Sequence, residues 1–74
     1  MQEIQFTLQT EYIDLLKLLK ATSVVISGGE AKMFIDDGMV TVNGETEFRR
    51  RRKLRIGDSV VFDEQITISL IKSE

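Results

Sequence analysis

The chain contains no cysteine, no histidine and no proline. Without cysteine there is no disulfide and no thiolate nucleophile. Without histidine the commonest general base and the commonest metal-binding side chain are missing too. No metal and no cofactor is therefore expected, and no constellation of acid, base and nucleophile is visible, so an enzyme is not expected either. No run approaches the roughly 18 apolar residues of a membrane span, and Met1-Gln2-Glu3 does not open a signal peptide. These absences leave the cytoplasm as the expected location, with no membrane partner, and a reducing compartment suits a chain without thiols. There is no internal repeat and no linker.

With 74 residues, one domain spanning residues 1–74 and one core is the expected organisation, acting as a monomer. Chains below roughly 70–80 residues usually need a covalent or metal staple, or very regular packing. Here apolar burial has to suffice, and 42% hydrophobic residues is enough for it. The 30% charged residues are too evenly mixed in sign for disorder.

The formal net charge of −2 argues against a polyanionic partner until its distribution is read. Residues 49–55 run Arg-Arg-Arg-Arg-Lys-Leu-Arg, six positive charges with no negative one, which leaves a balance of −8 elsewhere. A surface field acts at a site, not through the total, so this segment is a candidate for binding an anion.

Along the chain, Glu3 to Leu8 alternates polar and apolar residues as a half-buried strand does. Thr10 is placed to cap a helix from about Glu11 to Ala21, with Tyr12, Leu15, Leu16 and Leu19 forming its apolar stripe. Val24-Val25-Ile26 reads as an apolar connector that enters the core. Ser27-Gly28-Gly29-Glu30 fits a capping box that opens a second helix, from about Gly28 to Asp37, burying Ala31, Phe34 and Ile35. Gly38 is its expected left-handed terminus. Met39 to Val42 and Glu45 to Phe48 read as a hairpin joined by Asn43-Gly44, a pair suited to positive φ at both turn positions. After the arginine run come a turn at Ile56-Gly57-Asp58 and two further strands, Ser59 to Phe62 and Ile66 to Ile71. The class is α+β, in the order β-α-α-β-β-β-β.

The segments Leu18-Leu19-Lys20, Ser27-Gly28-Gly29-Glu30-Ala31-Lys32, Gly38-Met39-Val40-Thr41-Val42-Asn43-Gly44 and Gly57-Asp58, taken in order, resemble the S4 RNA-binding domain. Ser-Gly-Gly-Glu-Ala-Lys with Val-Asn-Gly-Glu and Arg-Arg-x-Arg-Lys-Leu looks most like the stand-alone bacterial YaaA-type (YbcJ-like) members. The resemblance runs from about residue 15 to residue 61. It implies two helices packed on a small, curved, mainly antiparallel sheet, the alpha-L motif. It also implies a structured RNA partner, ribosomal RNA first and tRNA second, with ribosomal particles as a setting. The RNA would lie along the second helix and the loop after the hairpin. The chain departs from the wider pattern at Gly28, where many S4 domains have arginine, and at Arg51, where related sequences often have glycine.

The candidate RNA-binding residues are Arg49, Arg50, Arg51, Arg52, Lys53 and Arg55, with Lys32 on the second helix and Lys20 on the first. Arginine pairs two phosphate oxygens at once and also stacks on unpaired bases. Alternating directions along extended backbone would aim about three or four of the six loop charges at one ligand. The competing reading is a solvated loop paired in part by Glu45 and Glu47. Ser27, Gly28 and Gly29 offer N–H groups for a phosphate at a helix start, but ordinary capping competes, since Glu30 seeks the same donors. Asp36-Asp37 reads as helix-end charge. Phe6, Phe34, Phe48 and Phe62 are expected mostly in the core, and Lys17 is a further rim residue. The competing function is a protein-interaction adaptor whose basic loop docks an acidic protein partner. Arginines 49, 50 and 52 are expected to be removable together without loss of the fold.

Overall fold

Apolar residues at every second position, Ile4, Phe6 and Leu8, produce the first strand, β1 (Gln2–Leu8). The computed structural model describes residues 2–73; Met1 and Glu74, the two ends of the expected domain, lie outside the described residues. After β1 come a short strand β2 (Ile13–Asp14), helices α1 (Leu15–Ala21) and α2 (Gly28–Asp36), and the strands β3 (Val40–Val42), β4 (Glu45–Thr46), β5 (Lys53–Leu54), β6 (Ser59–Phe62) and β7 (Ile66–Lys72). Among the described residues this is an α+β fold with two helices.

The first helix starts later than its apolar spacing predicts. Thr10 does not cap it; its hydroxyl donates to the Tyr12 carbonyl at 2.8 Å. Ile13 and Asp14 instead pair antiparallel with Leu54 and Lys53, which keeps the chain extended up to Asp14. Asp14 then caps α1, its carboxylate accepting from the Lys17 N–H at 2.8 Å. Tyr12 is consequently outside the helix, and the buried stripe is Leu15, Leu18 and Leu19. The cause is a partner about forty residues away in sequence, which local periodicity does not register.

The second helix is capped by Ser27 as expected, but Glu30 reaches one residue beyond the cap, to Ile26, and not to Ser27. The Ser27 hydroxyl accepts from the Glu30 N–H at 3.2 Å, and Glu30 reaches back to the Ile26 N–H, also at 3.2 Å. Ala31 and Ile35 are buried. Phe34 packs against the Phe62 ring at 4.7 Å between centroids. Of the connector before α2, Val25 is buried but Ile26 is 90% exposed, so only part of that segment enters the core. Gly38 takes φ 76°, and Asn43 and Gly44 take φ 51° and 87°, the left-handed pair that a tight hairpin needs.

Five strands form one sheet in the order β1-β7-β6-β3-β4, while β2 and β5 form a separate two-stranded ribbon. Three of the pairings in the large sheet are antiparallel. The exception is β1 with β7, which runs parallel from Gln2 opposite Ile66 to Leu8 opposite Lys72. The expected order therefore lacks two short strands. Leu54 of β5 joins Leu15, Leu18, Leu19, Ile35, Val60 and Ile68 in one core between the helices and the sheet. No helix among the described residues is long and apolar enough to cross a membrane.

Candidate nucleic-acid interface

The return strand of the hairpin ends at Thr46, before the expected Phe48. The next inward position falls to Glu47, whose N–H still bonds the Val40 carbonyl at 3.0 Å and which is only 7% exposed. A carboxylate buried there needs cationic partners, because desolvation alone would make its charge costly. Arg49 and Arg52 supply them. Arg49 donates from Nε and Nη2 at 3.0 and 3.1 Å and from its own backbone N–H at 3.0 Å. Arg52 donates from Nη1 at 2.7 Å. The Arg49 side-chain bonds, outweighing burial and joined by the Arg49 N–H and Arg52, pull the Glu47 pKa from 4.5 down to about 2. In turn Glu47 raises the Arg49 pKa, mainly through the same bonds.

This carboxylate turns the arginine run back on itself. The Arg52 N–H bonds the Arg49 carbonyl at 3.2 Å, so residues 49–52 form a turn instead of extended backbone. The expectation that alternation would split the six charges between two faces therefore fails. Two carbonyls of this turn are also used: the Leu15 and Leu16 N–H groups donate to the Arg52 and Arg50 carbonyls at 3.0 and 3.1 Å. These are first-turn donors of α1 that the helix itself cannot satisfy. The basic turn is thus bonded to the start of α1.

At its other end the loop is fixed by side chains. The Arg55 N–H donates to Asp58 at 2.8 Å, Asn43 Nδ2 donates to the other Asp58 oxygen at 3.0 Å, and the Ser59 N–H donates to Asn43 Oδ1 at 2.9 Å. Burial pushes the Asp58 pKa up, but these N–H bonds and the charges of Arg52 and Arg55 outweigh it and hold the carboxyl below its ordinary value.

The result is an open groove of about 1190 Å³ between the basic turn and the two helices. Arg49, Arg50, Arg51, Arg52, Lys53, Arg55, Lys32, Lys20 and Lys17 line it, with Asp14 and Asp36 as its only acidic residues among those described. Nine of the ten lysines and arginines of the chain thus share one surface of formal charge +7, and the remainder carries −9. Ser27, Gly28 and Gly29 are not among the lining residues. At that helix start the Ser27 hydroxyl takes the Glu30 N–H and Glu30 takes the Ile26 N–H, and a Cβ on Gly28 would lie 4.0 Å from the Lys20 side chain.

The cations are not equivalent. Arg49 and Arg52 are held on Glu47, and Arg50 pairs with Asp36 at 2.7 Å in a half-exposed bridge. That pairing raises the Arg50 pKa, mainly through its hydrogen bonds to Asp36. Lys17, Lys20, Lys32, Arg51, Lys53 and Arg55 have no ion-pair partner among the described residues. Lys53 and Arg55 lie over the Tyr12 ring at 4.9 and 5.8 Å, so this half-exposed tyrosine holds cations. Two features escaped sequence reading. Glu47 was expected as a partial partner of a solvated loop and does pair Arg49 and Arg52, but from a buried position, and Phe48, expected in the core, is 61% exposed at the groove. Strand alternation could have found both: if Glu47 points inward, Phe48 points out.

The S4 domain family model matches residues 6–70. Over 54 residues the chain is 46% identical to the "Probable ribosome maturation protein RlbA" of Bacillus subtilis (strain 168), covering 73% of this chain and 76% of that one. Over 51 residues it is 39% identical to the "Putative RNA-binding protein YbcJ" of Escherichia coli (strain K12), covering 69% and 73%.

Proposed function

The chain belongs to the S4 domain family, and from that premise we propose that it is a non-catalytic binder of structured RNA, ribosomal RNA before tRNA, held in the groove between the basic turn and the helices. The observation that carries this reading is the gathering of nine of ten cationic side chains on one surface of an otherwise acidic molecule. A phosphate backbone is the extended anion that matches such a groove, and it releases counterions when bound. The protein works in the cytoplasm, as a monomer, on RNA of ribosomal particles or their precursors.

The unpaired cations come first in this reading. Arg51, Lys53, Arg55, Lys32, Lys20 and Lys17 are available to phosphates without breaking an ion pair, and Arg50 exchanges Asp36 for a phosphate. Arg49 and Arg52 contribute charge while remaining on Glu47.

Filter binding of a ribosomal RNA hairpin across a salt series tests the electrostatic grip. If about four phosphates are neutralised, log affinity falls with log salt at a slope of about −3, and Arg51→Ala reduces the steepness by about 1. An affinity that ignores salt would remove the proposal. Recovery of a protein partner after nuclease treatment, with no RNA bound, would favour docking of an acidic protein instead.

A further inference from the structure

The four phenylalanines divide sharply. Phe62 is buried, Phe6 and Phe34 pack against the core, and Phe48 is 61% exposed. Its ring nevertheless lies against the backbone at Gly38. Gly38 has φ +76°, and a Cβ built there would lie 3.5 and 3.7 Å from Phe48 Cε1 and Cζ and 3.7 Å from Thr46 Cγ2. The absent side chain of Gly38 thus leaves the space against which the ring rests. The ring lines the cationic groove, next in sequence to the basic turn and near the Asp36–Arg50 bridge. A water-exposed aromatic surface beside guanidinium groups matches both halves of one nucleotide, the base by stacking and the phosphate by charge.

We propose that Phe48 is a stacking platform for one unpaired base of the bound RNA. The inference rests on the RNA reading above and deepens it. A duplex covers its base faces by stacking them on one another, so a groove with this ring favours a helix that carries an unpaired nucleotide. Charge complementarity selects the occupant: an apolar protein surface would leave the surrounding cations without anions, whereas a nucleotide brings both. Phe48 acts on which RNA is chosen, and the cations act on every RNA alike.

The test compares an RNA duplex with the same duplex bearing one bulged 2-aminopurine nucleotide, in filter binding and in fluorescence. Phe48→Ala is expected to lower affinity for the bulged RNA by about 5- to 100-fold and for the plain duplex by less than about twofold, with an unchanged salt slope. Phe48→Trp retains the preference, Phe48→Leu loses it, and quenching of 2-aminopurine seen with the unaltered protein disappears in both F48A and F48L. Circular dichroism confirms the fold of each variant, and if F48A fails to fold, F48L and F48W carry the comparison. Equal loss on both RNAs, no loss on either, or a leucine variant as selective as phenylalanine would overturn the stacking role. Failure of the unaltered protein to bind either RNA would overturn the RNA reading itself. Binding of both RNAs with no sensitivity to F48A overturns only the platform.

Discussion

At the scale of the single residue, Glu47 organises the site. It is an anion placed beneath a cationic surface, and it fixes two arginines by direct bonds instead of leaving six like charges to repel one another. Its depressed pKa makes a definite pH prediction. A carboxyl at 4.5 when unfolded and at about 2 when folded takes up its proton first in the unfolded chain. The stability it contributes is therefore complete above about pH 5 and disappears as the pH falls through about 2. That contribution is on the order of 3 kcal/mol. Urea denaturation of Glu47→Gln should show this deficit at neutral pH, and the two proteins should converge in stability as the pH approaches that of the folded carboxyl. Replacing Arg49, Arg50 and Arg52 together by alanine should also destabilise the fold by about 1–3 kcal/mol, because Glu47 is left buried without its cations. The same melts would detect it. The three were expected to be removable without loss of the fold; the buried Glu47 adds a cost in stability to that removal.

At the scale of elements, the basic turn gets its shape from its neighbours. The N–H groups of Leu15 and Leu16 hold its carbonyls, and the Asn43–Asp58–Arg55 chain of bonds fixes its exit. Asn43 serves twice, taking positive φ in the hairpin turn and bonding across to the turn before β6. Asn43→Ala loses both side-chain bonds and retains the unfavourable backbone angle, which should cost about 1–3 kcal/mol in a thermal or urea melt. RNA affinity should fall less than it does for Arg51→Ala, since Asn43 positions the loop without bearing charge. The Asn43-Gly44 hairpin itself was readable from the sequence, because positive φ at two successive positions restricts residue choice. Its bonds to Asp58 and Ser59 were not, since they join residues 15 and 16 apart.

At the scale of the whole molecule, the separation of charge is the dominant electrostatic feature. A groove at +7 on a body at −9 is a dipole that orients the protein toward a polyanion before contact. Lys72, at the end of β7, is the one lysine or arginine outside the groove and serves as the internal control. Lys32→Ala should reduce the salt slope of RNA binding by about 0.7–0.9, and Lys72→Ala should leave it unchanged. A common fall for both variants would indicate that net charge, not the groove, governs binding.

Much of this protein was determined by local sequence. Alternation placed β1 and the last two strands, Ser27 and Glu30 placed the second helix, and Asn43-Gly44 placed the hairpin; each rests on bonds or periodicities spanning a few residues. The clustering of positive charge was also visible, as six cations in seven positions. Only the tertiary structure decided how those cations are presented. Folding brought Lys17, Lys20 and Lys32 to the same groove, turned the arginine run around Glu47, ended β4 early enough to expose Phe48, and delayed α1 by pairing Ile13 with Leu54. It also set β1 parallel to β7, joining segments some sixty residues apart. These outcomes depend on desolvation of one carboxylate and on hydrogen bonds between distant segments, energies that exist only once the chain has closed on itself.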